Sequence, residues 1–110
     1  MYKRQILGVI QDGKGNSEQA IKTYQKALDI NADSPETYYN MASVFHKLHR
    51  NEEAKKNYQK AINLKSDFVN AYFNLGLVFQ NLKDYEQAMV ELEILLENYI
   101  KSPWADREKH

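Results

Sequence analysis

The feature that most constrains this chain is that it repeats itself at a spacing of 34 residues. The clearest copy runs from Val69 to Ser102. It opens Asn70-Ala71-Tyr72-Phe73-Asn74-Leu75-Gly76-Leu77-Val78-Phe79 and later reads Tyr85-Glu86-Gln87-Ala88. Moved back by one period it falls on residues 35–68, and by two on residues 1–34. A unit this short cannot bury an apolar face by itself, so the three copies must stack against one another. Residues 103–110 open like a further helix but supply only about two turns.

Within each copy the apolar spacing is helical. In the second, Tyr38, Met41, Ala42, Phe45 and Leu48 recur at intervals of three and four, after Ser34 as N-cap and Pro35 in the first turn. Its second helix carries Ala54, Tyr58, Ala61, Ile62 and Leu64 beyond a turn at His49-Arg50-Asn51. The first copy places Ile6, Leu7, Val9 and Ile10 before a reversal at Asp12-Gly13-Lys14-Gly15. Ala20, Ile21, Tyr24, Ala27, Leu28 and Ile30 follow as a second stripe. Asn16 or Ser17 is expected to cap that helix, Ser66 or Asp67 the fifth, and Asp84 with Gln87 the sixth. The expected fold is all-α: an array of antiparallel helix-turn-helix hairpins.

Composition removes whole classes of function. Fifteen basic and fifteen acidic residues balance, so no global field draws the chain to nucleic acid or an anionic membrane. With no cysteine there is no disulfide framework, thiolate nucleophile or cysteine-zinc site. No apolar run reaches the roughly 18 residues of a membrane span, and Ile6 to Ile10 is too short for a secretory signal. An intracellular, cytoplasmic setting is the expectation. No serine, histidine and acid spacing marks a nucleophile and no glycine-rich phosphate loop follows a strand, so neither an enzyme nor a cofactor is expected.

The pattern of small and large positions resembles the tetratricopeptide repeat. The eighth position of the copies is Gly8, Ala42 and Gly76, and the twentieth Ala20, Ala54 and Ala88. The twenty-seventh is Ala27, Ala61 and Leu95; the large seventh is Leu7, Met41 and Leu75. Tyr24, Tyr58 and Leu92 share the twenty-fourth, and Phe45 and Phe79 the eleventh. Departures fall at Arg4 and Gln11, which suit a first helix facing water, and at Leu95, which replaces a small residue.

The resemblance implies a right-handed superhelical array of these hairpins that serves as a protein-interaction module. Its concave groove would be lined by the second, fifth, sixth, ninth and twelfth positions of each first helix. Those are Tyr2, Gln5, Ile6, Val9 and Asp12; Glu36, Tyr39, Asn40, Ser43 and His46; and Asn70, Phe73, Asn74, Leu77 and Gln80. Asn40 and Asn74 share an offset and offer an amide donor and acceptor to the backbone of an extended or helical peptide. Tyr39, Phe73 and Leu77 supply apolar contact. The clamp by which some relatives hold a chaperone's terminal carboxylate is not supported. Its offsets hold Gln5, Val9, Asn40, Asn70 and Asn74, with no cation among them.

A structural reading stands beside this one. Leu92, Ile94, Leu95, Leu96 and Ile100 exceed what one hairpin partner covers, so the last helix is expected to continue a longer solenoid or to form a homodimer. Helical-repeat recognition of RNA is disfavoured by the zero net charge. His46 and His49 with Glu52 or Glu53 are read as surface residues and not metal ligands. Lys47, Arg50, Lys55, Lys56, Lys60 and Lys65 are read as a solvated basic face.

Overall fold

The computed structural model describes residues 2–13, 15–83 and 85–101; the side chains of Tyr2, Gln87, Glu91, Leu95 and Tyr99 fall outside that description. The expected caps at Asp84 and Gln87, the Leu95 side chain and the short helix of 103–110 therefore lie outside the described residues. The elements in order are α1 (Tyr2–Gly13), α2 (Ser17–Ile30), α3 (Pro35–Lys47), α4 (Asn51–Leu64), α5 (Val69–Leu82) and α6 (Tyr85–Ile100). Consecutive helices pack as hairpins, and each hairpin packs on the next.

One core runs through the stack. Tyr24, Tyr58, Leu75, Val44 and Val78 are its largest fully buried side chains, and Ala20, Ala54 and Ala88 sit among them at one shared offset. Ile30 and Leu64, expected in the inner stripe, are exposed. Both occupy the thirtieth position, where the second helix has already turned its apolar face past the neighbouring hairpin. Gln11 departs from its expectation too. It is half-buried and accepts a hydrogen bond from the buried Thr23 Oγ1 at 2.8 Å, so the polar pair replaces an aromatic contact inside the first hairpin. Arg4 is exposed, as expected.

The turn inside each hairpin is built the same way three times. Gly15, His49 and Lys83, one period apart, all have positive φ (84°, 61° and 57°). Their amides donate to the carbonyls of Asp12, His46 and Gln80, and in the first two copies the next amide reaches back to Gln11 and Phe45. These are Schellman closures, in which a left-handed residue turns the chain out of the helix and satisfies its last carbonyls. Only the first copy has glycine there. Gly13, read as part of the reversal, is still helical.

The helix N-termini are less regular than expected. Ser34 caps α3, its Oγ accepting from the Thr37 amide at 3.3 Å. Asn16 makes no side-chain cap on α2, and Ser17 instead donates to Asp12 Oδ1 across the turn at 3.0 Å. The N-cap of α5 is Phe68, again without a side-chain bond, so neither Ser66 nor Asp67 caps it. Asn16 stands at the cap position but with φ −93° and ψ 57°, outside the extended cap conformation, whereas at α5 Ser66 and Asp67 fall two and one residues before the cap.

Candidate functional site: the groove of first helices

α1, α3 and α5 carry the groove positions, and the structure links these helices side by side through a regular register. Lys47 Nζ pairs with Asp12 Oδ2 at 2.8 Å, Asn74 Nδ2 donates to Tyr39 Oη at 2.8 Å, and Asn81 Nδ2 meets His46 Nε2 at 2.9 Å. Each pair is separated by 35 residues. One period plus one residue is therefore the lateral step between neighbouring first helices.

This register decides which groove residues are free. Tyr39 is engaged: its ring lies 4.8 Å from that of Phe68 and 5.6 Å from that of Tyr58, and its hydroxyl accepts from Asn74. Ser43 donates to the Tyr39 carbonyl at 3.1 Å and bonds the Tyr58 hydroxyl at 3.0 Å. His46 is held by Asn81, and Asp12 by Lys47 and Ser17. Asn74 keeps its Oδ1 as an acceptor. The same step would pair Gln5 with Asn40, yet Asn40 makes no side-chain hydrogen bond among the described residues and is only partly covered. Its amide is the open rung.

Gln5, the other half of that rung, lines a cavity of about 700 Å³. Its walls include Gln5, Ile6, Val9 and Ile10 of α1, Ala27 and Asn31 at the end of α2, and Asp33, Pro35 and Glu36 at the start of α3. Three groove positions of the first copy and one of the second thus converge here. Ile6, Val9 and Ile10 are exposed because they form this wall instead of a core. Among the described residues the charged side chains of the lining are acidic, Asp33 and Glu36. On α5, Phe73 and Leu77 are exposed, Phe73 at 68 %, and Asn70 and Gln80 are exposed beside them.

The cations of the basic face are engaged with aromatic rings and acids. Arg50 lies 4.7 Å from the centre of the Phe45 ring while chelating Glu53 at 2.8 and 2.9 Å, and it also reaches Glu18 at 3.3 Å. Lys55, Lys60 and Lys65 stand over Phe79, Tyr38 and Phe68 at 5.9, 5.9 and 5.1 Å. Their alkyl stems cover ring faces that would otherwise be wet. The basic face is thus partly an aromatic cover. A cation one helical turn or one hairpin from an aromatic core position was the available signal. Among the described residues no three histidine or acidic side chains converge as a metal site.

Burial raises the pKa values of the core tyrosines. Tyr24 is pushed up to about 12 by burial and by the nearby charge of Asp12. Tyr58 and Tyr72 are also raised, chiefly by burial, with the Ser43 bond opposing the shift at Tyr58 and Asp67 adding to it at Tyr72. These are structural phenols, kept neutral inside the stack.

Solved structures share this architecture. The second TPR of Spaghetti (RPAP3), bound to the HSP90 peptide SRMEEVD, is 23 % identical over 86 % of this chain and 88 % of its own, with a TM-score of 0.77. The TPR2B domain of yeast Sti1, in a pHsp70 complex, is 23 % identical over 90 % of this chain and 78 % of its own, with a TM-score of 0.77. MamA is 26 % identical over 88 % of this chain, with a TM-score of 0.75, and the match spans 54 % of its length. Comparison with curated proteins finds no match. The family profile described as "TPR repeat" matches residues 14–49 and 45–83, and that described as "Tetratricopeptide repeat" matches residues 70–102. The chain belongs to the tetratricopeptide repeat family.

Proposed function

We propose that this chain is a protein-interaction module that holds a peptide segment of a partner along the groove of α1, α3 and α5, with an apolar side chain of that segment in the cavity between α1 and the start of α3. The observation that carries this reading is the cavity itself. It is large enough for a bulky side chain, walled by Ile6, Val9, Ile10 and Pro35, and edged by Gln5, the residue one register step before Asn40. Apolar burial supplies the affinity, and the Asn40 amide holds backbone. The array fixes both before binding, which lowers the ordering cost on the protein side.

The charge of the site selects the flanks of the peptide. Asp33 and Glu36 edge the cavity without a cation, so a lysine or arginine beside the apolar anchor is favoured and an acidic tail is repelled. That separates this chain from its structural neighbours, whose ligands include SRMEEVD. The offsets of the carboxylate clamp hold Gln5, Val9, Asn40, Asn70 and Asn74 here, and none can pair with a carboxylate as a cation would. A helical-repeat role on RNA draws no support from these walls, and no step of catalysis is assigned to them.

The test uses a panel of fluorescent peptides that share a leucine or phenylalanine anchor and differ in flanking charge, titrated into the 110-residue chain by anisotropy. Basic flanks should bind more tightly than acidic ones, and Ile6→Asp should abolish binding. Equal affinity for both flanks, or binding indifferent to Ile6→Asp, overturns the reading.

A further inference from the structure

The exposed faces of α1 and α6 are complementary to each other, and we propose that copies of this chain associate head to tail, with α1 of one copy packing on α6 of the next as α3 packs on α2. The internal junctions supply the template. Gln25 and Leu28 of α2 share one cleft with Tyr38, Met41 and Phe45 of α3. Positions 25 and 28 of a second helix therefore face positions four, seven and eleven of the first helix that follows. Carried to α6, those positions are Glu93 and Leu96; carried to α1 of another copy, they begin with Arg4 and Leu7.

Each pair fits. Glu93 and Arg4 are exposed and opposite in charge. Leu96 and Leu7 are 44 % and 48 % exposed, whereas Leu28 and Ile62, the residues at the offset of Leu96 in the inner hairpins, are buried. The lateral register gives a third, independent pair. The step of 35 residues that joins Tyr39 to Asn74 carries Phe73 onto the sixth position of a following copy, which is Ile6. Both are large, apolar and more than half exposed. Among the described side chains α6 exposes Glu86, Glu93 and Glu97, while α1 exposes Lys3 and Arg4 and its one acid, Asp12, is paired with Lys47. Two surfaces of matching shape class and opposite charge, meeting in a register the chain already uses twice, favour a second copy over an unrelated partner. The contact is heterologous, so it leaves both outer faces free and generates open chains rather than a closed pair.

The experiment is analytical ultracentrifugation of the 110-residue chain across a concentration series, at low and high salt. The wild type should grow in mass without saturating at a dimer, and less so in high salt. Glu93→Arg and Arg4→Glu should each weaken self-association by about tenfold or more, because each places like charges face to face. Mixed one to one, the two variants should recover it, since every contact between unlike partners again joins opposite charges. Both residues are exposed, so unchanged circular dichroism melts control for folding. A wild type that stays monomeric, one that stops at a dimer, or a mixture that fails to recover would each overturn the proposal. Ile6 belongs to both surfaces, so peptide binding is read separately, from the anisotropy panel with Glu93→Arg as a binding-competent monomer.

Discussion

Gly8 and Gly76 occupy the same position of their repeats, yet the structure gives them opposite tolerances for a methyl group. A Cβ built on Gly8 would stand 2.5 Å from Cε1 and 2.7 Å from Cζ of Tyr24, a ring that is only 1 % exposed. A Cβ on Gly76 meets nothing within 4 Å among the described residues, where Leu92 replaces the tyrosine one period on. Replacing a helix-interior glycine by alanine gains about 1 kcal/mol of helix propensity. In Gly76→Ala that gain should appear nearly whole. In Gly8→Ala it is opposed by overpacking worth about 1–3 kcal/mol, because the ring has no open space to swing into. The propensity term is common to both variants, so the difference between them isolates the steric one. At about 4–6 °C per kcal/mol for a chain of this size, Gly76→Ala should melt roughly 5–15 °C above Gly8→Ala by circular dichroism. The second hairpin sharpens the prediction, since Ala42 and Tyr58 coexist there, both fully buried. The cost in the first hairpin is therefore one of α1–α2 spacing, and shortening the ring should relieve it. Gly8→Ala should be less harmful in a Tyr24→Leu background than in the wild type, a positive coupling in a double-mutant cycle. Equal melting of the two alanine variants, or no coupling, would refute the reasoning.

The remaining predictions follow from the turns, the phenols and the register. Lys83→Gly should relieve a left-handed strain of about 1–2 kcal/mol, less the larger chain entropy of glycine, and so stabilise by a few tenths to about 1 kcal/mol. Gly15→Ala should lose about 1 kcal/mol at the equivalent turn; urea melts that rank the two in the opposite order would count against the shared closure. Raised tyrosine constants mean that the unfolded chain loses its phenolic protons first. Stability should therefore be intact below about pH 10 and fall as the pH climbs towards 12, with Tyr24 alone accounting for roughly 2–3 kcal/mol. Tyr24→Phe should flatten that alkaline decline; melts from pH 8 to 12 read it directly. Asn74→Ala should cost about 0.5–1.5 kcal/mol of stability by removing the bond to Tyr39, whereas Asn40→Ala should leave the melt unchanged and weaken the bound peptide by about 1 kcal/mol.

The stacking of hairpins was legible from the 34-residue period because every copy repeats the same large and small residues at the same offsets. The Ser34-Pro35 start of α3 was legible for a local reason: the cap and the first turn are contiguous in sequence. The other caps were not. Asn16, Ser66 and Asp67 have the right chemistry, but the Schellman closure sets the backbone angles at Asn16 and the short link between hairpins puts Phe68 at the cap of α5, and both are properties of the turn. The left-handed turn position was half legible. Gly15 announces it, while His49 and Lys83 give no sign, because the helices on either side impose a conformation the residue itself disfavours.

The groove shows the same division more sharply. Its location follows from the offsets, but whether a groove residue is available depends on what the neighbouring helix presents one register step away. Asn40 and Asn74 are identical in kind and in repeat position, and nothing in the sequence separates them. Asn74 finds the Tyr39 hydroxyl 35 residues behind it and donates to it; Asn40 finds Gln5 there, and no bond forms. The difference lies in the residue one period and one step earlier, so a ladder cannot be judged from its own rungs. Read with that step included, the chain supplies its own rule: Asp12, Tyr39 and His46 are closed by Lys47, Asn74 and Asn81, and these pairs brace the array. Gln5 with Asn40 is the rung left open, and Phe73 has no described partner at the next step. The first borders the acidic, apolar cavity through Gln5, and the second stands exposed on α5. The proposed peptide site and the proposed contact with a second copy are therefore the same lateral register left unsatisfied at two different places.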